Sequence, residues 1–126
     1  MSVKPIYNDR EQAKAERAVT TFHRLYNEKN YEGLYGLLDE QARQAVNKDE
    51  FLAVAKQTYE KWGKVQSASL SQAKVFPSPL QVRMIYNIKF EKGDAQEWFI
   101  WNTQGEEARL IQYRNAPGFD TPDPQR

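Results

Sequence analysis

The strongest candidate for a chemical role in this sequence is a carboxylate in an aromatic segment. Glu97 lies in a strand-like stretch, and the preceding strand-like stretch carries Tyr86 at an alternating position. A carboxyl group held among aromatic rings is a candidate general base, and a neighbouring tyrosine hydroxyl is a candidate donor. The alternative is a Glu97 at the rim of the sheet, either solvated or paired with Lys89, Arg83 or a helix residue.

His23 is the only histidine, and cysteine is absent. His23 lies off the main apolar stripe of its segment, so we expect it to be solvated or hydrogen-bonded locally. Acidic residues occur as adjacent pairs at 39–40, 49–50 and 106–107, and adjacent side chains diverge in direction. The sequence therefore predicts no catalytic residue, no metal site and no cofactor.

The composition indicates a single packed domain. The chain has 126 residues, a hydrophobic fraction of 40% and a formal net charge of +1. That balance gives no electrostatic footprint for nucleic acid, whose binding requires a concentrated basic face, and no apolar run is long enough to span a bilayer. We predict a flexible lead-in over residues 1–8, one domain over 9–115 and a flexible proline-rich tail over 116–126.

Three helices are predicted before residue 64. Apolar residues at three- and four-residue spacing predict a first helix over about residues 9–28. Asn30 can cap a short second helix over residues 31–38. Asn47 and Glu50 match a capping box, and Gly63 fits the C-terminal end of a third helix, whose buried stripe would include Phe51 and Val54.

From residue 64 onward the period changes from 3.6 to 2, which indicates strands. Four strands are predicted, over residues 64–76, 82–90, 96–102 and 108–114, with turns at 77–79, 92–94 and 104–105. The fold class is therefore α+β, with three N-terminal helices packed on a curled four-stranded antiparallel sheet.

Tight turns assign side chains to the two faces of this sheet, because directly paired residues point the same way. With a turn at residues 92–93 Tyr86 lies opposite Phe99, and a turn at 93–94 would shift the partners but keep the faces. With the next turn at 104–105 Glu97 lies opposite Gln112. The candidates for a pocket under the helices are Glu97, Tyr86, Gln112, Trp101 and Tyr26. The open face carries apolar side chains that predict an interface: Ile85, Trp98, Ile100, Ile111 and Tyr113.

The order of these elements resembles the cone-shaped nuclear transport factor 2-like, or cystatin-like, superfamily. More narrowly, the chain resembles bacterial domains of unknown function found in secreted or lipid-anchored proteins. The likeness runs from about residue 13 to 113 and rests on Phe51 and the segments 22–26 (FHRLY), 30–35 (NYEGLY), 62–67 (WGKVQS), 86–90 (YNIKF), 97–99 (EWF) and 110–113 (LIQY).

This resemblance implies a fold and a place outside the cytoplasm, but no reaction. Family members commonly pair through the sheet, which implies a homodimer. Steroid-isomerase-like members pair an acid with a tyrosine inside the cone, which Glu97 and Tyr86 would match. The location implied is periplasmic or lipid-anchored, with an export signal removed from this chain, and a cytoplasmic location stays open.

Two functions follow as hypotheses. The first is a non-enzymatic domain that dimerises or docks a protein partner through the open sheet face. The second is a small-molecule binder or isomerase-like enzyme that uses the cone interior, with Glu97 and Tyr86 as its polar groups. A cone filled by its own aromatic side chains would leave no room for a substrate.

Overall fold

The structure, a computed structural model, describes residues 6–118, with side chains from residue 9 onward. The order of elements confirms an α+β fold in which the helices precede the strands. The helices are α1 (Ile6–Asn27), α2 (Tyr31–Gly36), α3 (Glu40–Ala45) and α4 (Lys48–Trp62). The strands are β1 (Val65–Pro77), β2 (Leu80–Phe90), β3 (Gly93–Asn102) and β4 (Arg109–Pro117). Residues 1–5 of the predicted lead-in and 119–126 of the predicted tail lie outside the described residues.

The first helix supplies the layer that covers the sheet. Val19, Phe22 and Tyr26 recur at the spacing of one helical face, and all three are buried. The Phe22 ring contacts Phe99 of β3, and the Tyr26 ring contacts Phe90 of β2. The helix starts at Ile6 rather than near residue 9. Within residues 6–118, no helix combines the length and the apolar character needed to cross a bilayer.

Local capping explains where the shorter helices begin. The Asn30 side chain accepts a hydrogen bond from the backbone N–H of Gly33, as predicted for the start of α2. The helix α3 was not predicted. The Asp39 side chain caps it by accepting from the Gln41 N–H, but α3 buries no residue, so it shows no apolar stripe in the sequence.

Both predicted ends of α4 are confirmed. The Asn47 side chain accepts from the Glu50 N–H, and the Gly63 N–H donates to the Tyr59 carbonyl. The predicted buried stripe of α4 is confirmed in part, because Phe51, Ala55 and Tyr59 are half-buried and pack against the core. Trp62 is the buried residue of this helix, whereas the Val54 side chain is 59% exposed. The stripe forms the wall of a cavity.

The sheet has the order β1-β2-β3-β4, with antiparallel neighbours throughout. In the β2–β3 hairpin Phe90 lies opposite Gly93, so the turn falls at residues 91–92, one position earlier than predicted. Tyr86 therefore lies opposite Glu97 instead of Phe99. The partner changes by two positions, so the faces stay as predicted, and Tyr86 and Phe99 are buried toward the helices.

The β3–β4 pairing corrects two predicted side-chain positions. Trp101 lies opposite Leu110, but a register shift follows at Ile111, so that Phe99 lies opposite Tyr113 and Ile100 opposite Gln112. One extra residue in a strand reverses the face of every residue after it, because strand side chains alternate with a period of two. Tyr113 thus lies on the helix-facing side, and Gln112 lies on the open side, the reverse of the prediction.

Candidate functional site

Three polar side chains meet beneath the helix layer, and we call them the interior cluster: His23, Glu97 and Tyr113. The Nε2 atom of His23 lies 2.6 Å from the Oε1 atom of Glu97. The Tyr113 hydroxyl donates to the other carboxylate oxygen, Oε2, in a short hydrogen bond. Asn115 donates from Nδ2 to the Tyr113 hydroxyl oxygen at 3.2 Å. Both oxygens of Glu97 are therefore engaged by the protein itself.

Helix geometry accounts for the position of His23. It lies one turn after Val19 and one turn before Tyr26, so it faces the sheet with them. The prediction of a solvated or locally bonded His23 is wrong, because the residue is 8% exposed and bonds to Glu97 across 74 positions of sequence. The spacing from Val19 and Tyr26 is the signal that could have revealed it.

Glu97 pairs with a helix residue, His23, as the second of the two predictions allows. Glu97 is 2% exposed and does not lie at a solvated rim, whereas Lys89, another predicted partner, is on the exposed side of β2. Tyr86 lies opposite Glu97 in the ladder, but the carboxylate bonds to His23 and Tyr113 instead. A buried carboxylate requires such donors, because an unpaired charge is costly away from water.

Aromatic rings enclose the interior cluster. The rings of Phe22, Tyr86 and Phe99 meet His23 edge-on, with centroid separations of 5.8, 6.4 and 6.1 Å. Burial, followed by the charge of Glu97, raises the pKa of Tyr113 well above its usual value. Burial likewise raises the pKa of Tyr86 to about 12. Both tyrosines are therefore neutral hydroxyl groups at neutral pH.

An apolar cavity, here called the cone cavity, opens between α1, α4 and the edge of β4. Its volume is about 320 Å³, and its walls include Phe22, Tyr26, Phe51, Ala55 and Tyr113. This volume is at the lower end of the range for small-molecule sites. The cavity exists because the α4 stripe stands away from the sheet.

The predicted pocket candidates divide between the cavity and the core. Tyr26 lines the cone cavity and donates from its hydroxyl to the Gly63 carbonyl at 2.7 Å. Gln112, on the open side of the edge strand β4, borders both this cavity and a concavity on the opposite side of the sheet. Trp101 is fully buried and stacks on Phe99 at a centroid separation of 5.6 Å, so its role is packing. Of the interior cluster, the cavity wall contains Tyr113.

A second concavity, here called the outer groove, lies on the opposite side of the sheet. It has a volume of about 640 Å³, and Ile85, Trp98 and Ile100 form its apolar floor. These three predicted interface residues share one face, and each is half-buried. Of the other two predicted interface residues, Ile111 lines the cone cavity and Tyr113 joins the interior cluster.

Basic side chains surround that floor. Lys74, Arg83 and Arg114 all line the outer groove. The Arg114 guanidinium lies 4.7 Å from the Trp98 ring centre, and the Arg83 guanidinium lies 4.6 Å from the Phe76 ring centre. Both distances are typical of cation–π contacts.

The acidic side chains of the described residues do not form a metal site. Among residues 6–118, no three histidine, aspartate or glutamate side chains are grouped as metal ligands would be. The pair Asp39 and Glu40 illustrates why, since Asp39 caps α3 while Glu40 is exposed.

Comparisons with known proteins place this architecture among solved structures. No protein-family model matches the chain, and no curated protein matches it in sequence. The chain is similar to the structure of Bd1075 from Bdellovibrio bacteriovorus, with a TM-score of 0.59 and 16% sequence identity. The match covers 94% of this chain and 45% of that protein, so the chain spans less than half of its length. At this identity the likeness shows a shared α+β fold.

Proposed function

We propose that this protein is a non-enzymatic domain that docks a protein partner through the outer groove. The observation that carries the proposal is the apolar floor of Ile85, Trp98 and Ile100 on the face that the helices leave uncovered. Large apolar side chains gathered on one open face typically mark an interface. The polar groups of the interior cluster are engaged with one another, which favours binding over catalysis.

The family and the location belong to the same proposal. We assign the domain to the nuclear transport factor 2-like superfamily, as a bacterial domain acting in the periplasm or at a lipid anchor. The motifs between residues 22 and 113 support this assignment, together with the α+β fold. Fractionation of the cell that encodes the natural protein tests the location, and recovery from the cytosol would contradict it.

Site-specific cross-linking tests the docking surface. A photo-reactive amino acid replaces Ile100 on the groove floor, and in a matched variant it replaces Lys56 on the exposed side of α4. Cross-links to one protein, or between two copies, are expected from position 100 but not from position 56. Equal labelling from both positions, or none from position 100, would refute docking through this face.

A second candidate function is small-molecule binding in the cone cavity. The observation in its favour is the 320 Å³ of space with apolar walls and the Tyr113 side chain on one side. Isomerase-like chemistry with Glu97 and Tyr86 is the more demanding form of this idea. It requires a ligand to displace the Tyr113 hydroxyl from the Glu97 carboxylate, since Glu97 does not line the cavity.

A thermal-shift screen with steroids, lipids and aromatic acids tests this candidate. A ligand that binds only the native state raises the unfolding temperature by mass action. The Ala55→Leu variant fills the cavity and is expected to abolish the shift, whereas Ala53→Leu, on the exposed side of the same helix, preserves it. Equal shifts in the two variants would place the ligand elsewhere.

A further inference from the structure

We infer that the outer groove receives an extended, acidic segment of a different protein, and that a second copy of this chain does not occupy it. The inference rests on the proposed docking function and adds the chemistry of the partner. Two features support it: the groove has cations that form no ion pair, and these cations lie beside apolar side chains spaced as along a strand.

The groove carries cations without counterions. Lys74, Arg83 and Arg114 line it, and no aspartate or glutamate does. Among the ion pairs formed within residues 6–118, none involves these three side chains. Lys74 and Arg83 also lie directly opposite each other in the β1–β2 ladder. Like charges at such positions destabilise a sheet, so an anion bound there would relieve their repulsion.

The floor has the dimensions of an extended peptide. Trp98 and Ile100 are alternate residues of β3, so their side chains stand about 6.7 Å apart along the strand. Alternate side chains of a bound extended segment have the same spacing. The cations flank this floor, with Lys74 and Arg83 on β1 and β2 and Arg114 on β4. Guanidinium groups at these positions bind carboxylates in a bidentate manner.

Symmetry argues against a second copy as the occupant. In a twofold pair the same patch faces itself, so the three groove cations of one copy would meet those of the other. Like-charge juxtaposition across an interface costs affinity. The homodimer implied by the family resemblance is therefore the weaker occupant of this groove.

Cations already lie over the aromatic rings of the groove, which favours a peptide over an anionic glycan as the ligand. Sugars stack on open aromatic faces, but the Trp98 ring already holds Arg114, and the Phe76 ring holds Lys74 and Arg83. The uncovered part of the floor is aliphatic, formed by Ile85 and Ile100. Aliphatic side chains of a peptide match that surface.

Nuclear magnetic resonance with the full chain tests the inference. The probe is a capped octapeptide that alternates glutamate and valine, and its control replaces every glutamate with glutamine. We expect the glutamate peptide to shift the amide signals of Ile85 and Ile100 and the Trp98 indole signal. Arg83→Glu should weaken binding at least about fivefold. Lys56→Glu, which changes the net charge equally on the exposed side of α4, should leave binding unchanged.

Several outcomes would overturn the inference. Equal binding of the glutamine peptide would remove the acidic requirement while leaving docking through the groove intact. A sulfated oligosaccharide that shifts these signals when the peptide does not would assign the groove to a glycan. Sedimentation showing a dimer that Arg83→Glu dissociates would assign it to a second copy. If the double substitution Asp120→Asn/Asp123→Asn shifted the amide signals of Ile85 and Ile100 without added peptide, the groove would be assigned to the chain's own last residues.

Different results would refute docking through the outer groove and the acidic nature of the partner. If no peptide shifts the groove signals but cross-links from position 100 capture one protein, docking stands and the acidic partner falls. If position 100 yields no cross-link and no peptide binds, both fall together.

Discussion

Glu97 is hydrogen-bonded to two side chains that come from different layers of the molecule. His23 reaches it from α1, and Tyr113 reaches it from β4 across the strand ladder. A buried carboxylate that loses one donor keeps the cost of its desolvation without compensation. The interior cluster therefore ties the helix layer to the sheet at one point.

Removal of the Tyr113 hydroxyl tests this connection. Tyr113→Phe keeps the ring but deprives the Glu97 Oε2 atom of its donor, so the free energy of unfolding should fall by about 1–3 kcal/mol. Tyr35→Phe is the matched control, since the Tyr35 ring contacts Phe51 but its hydroxyl makes no hydrogen bond among those of the described residues. Urea unfolding measures both, and an equal small loss in the two variants would show that the Glu97 contact contributes little.

A second residue-scale prediction concerns alkaline pH. Burial, and then the charge of Glu16, raises the pKa of Tyr86 to about 12, so the folded state keeps its proton when the unfolded chain has lost it. The contribution of Tyr86 to the free energy of unfolding is therefore fully present below pH 10 and is lost between pH 10 and 12. Tyr86→Phe should reduce the loss at pH 11 by about 1 kcal/mol. Urea unfolding at pH 8 and 11 measures this, and parallel losses in both proteins would contradict it.

At the scale of single elements, the end of α4 shows how one residue aligns several others. Gly63 has φ 76° and ψ −161°, a backbone region that is essentially restricted to glycine. Its carbonyl accepts the Tyr26 hydroxyl, and a Cβ at this position would lie 2.8 Å from the Oε1 atom of Glu91. The chain turns here from the helices into the sheet.

Two glycine substitutions test whether the backbone conformation and close contacts at Gly63 require glycine. Gly63→Ala should lower the free energy of unfolding by about 1–3 kcal/mol, because alanine is strained at this φ and meets Glu91. Gly36→Ala is the control: a Cβ there meets nothing within 4 Å, and α2 gains up to about 1 kcal/mol. Chemical denaturation compares them, and similar changes in the two variants would refute the argument.

On the scale of the whole molecule, stability is concentrated where the layers overlap. β2 and β3 are the central strands and carry most of the fully buried side chains, including Val82, Met84, Phe99 and Trp101. The helix α3 buries no residue, and residues 66–72 of β1 are exposed. Regions with little buried apolar surface open locally at low free-energy cost.

Native-state hydrogen exchange tests this distribution. Amides of α3 and of residues 66–72 should exchange faster than amides of β2 and β3, because they open without disrupting the core. The slowest amides should report the global free energy of unfolding. If α3 exchanged as slowly as β3, the buried core would have to include α3.

Local chemistry was enough to predict that helices precede strands, where α2 and α4 are capped, and most side-chain faces. Asn30, Asn47 and Gly63 act within three or four residues of themselves, so their roles are readable from spacing. The alternation in β2 and β3 set the faces of Tyr86 and Phe99 despite an error of one residue in the turn. Each of these features depends on neighbours in the chain and not on distant packing.

The site itself was decided by tertiary structure. The extra residue at Ile111 has no signal in the sequence of β4, yet it carries Tyr113 inward to Glu97 and leaves Gln112 outside. His23 gains its partner only when α1 lies across β3. The α4 stripe predicts burial, but the helix stands far enough from the sheet to leave a cavity. These outcomes depend on how whole elements pack, because contacts between residues distant in sequence are set by register and separation of layers.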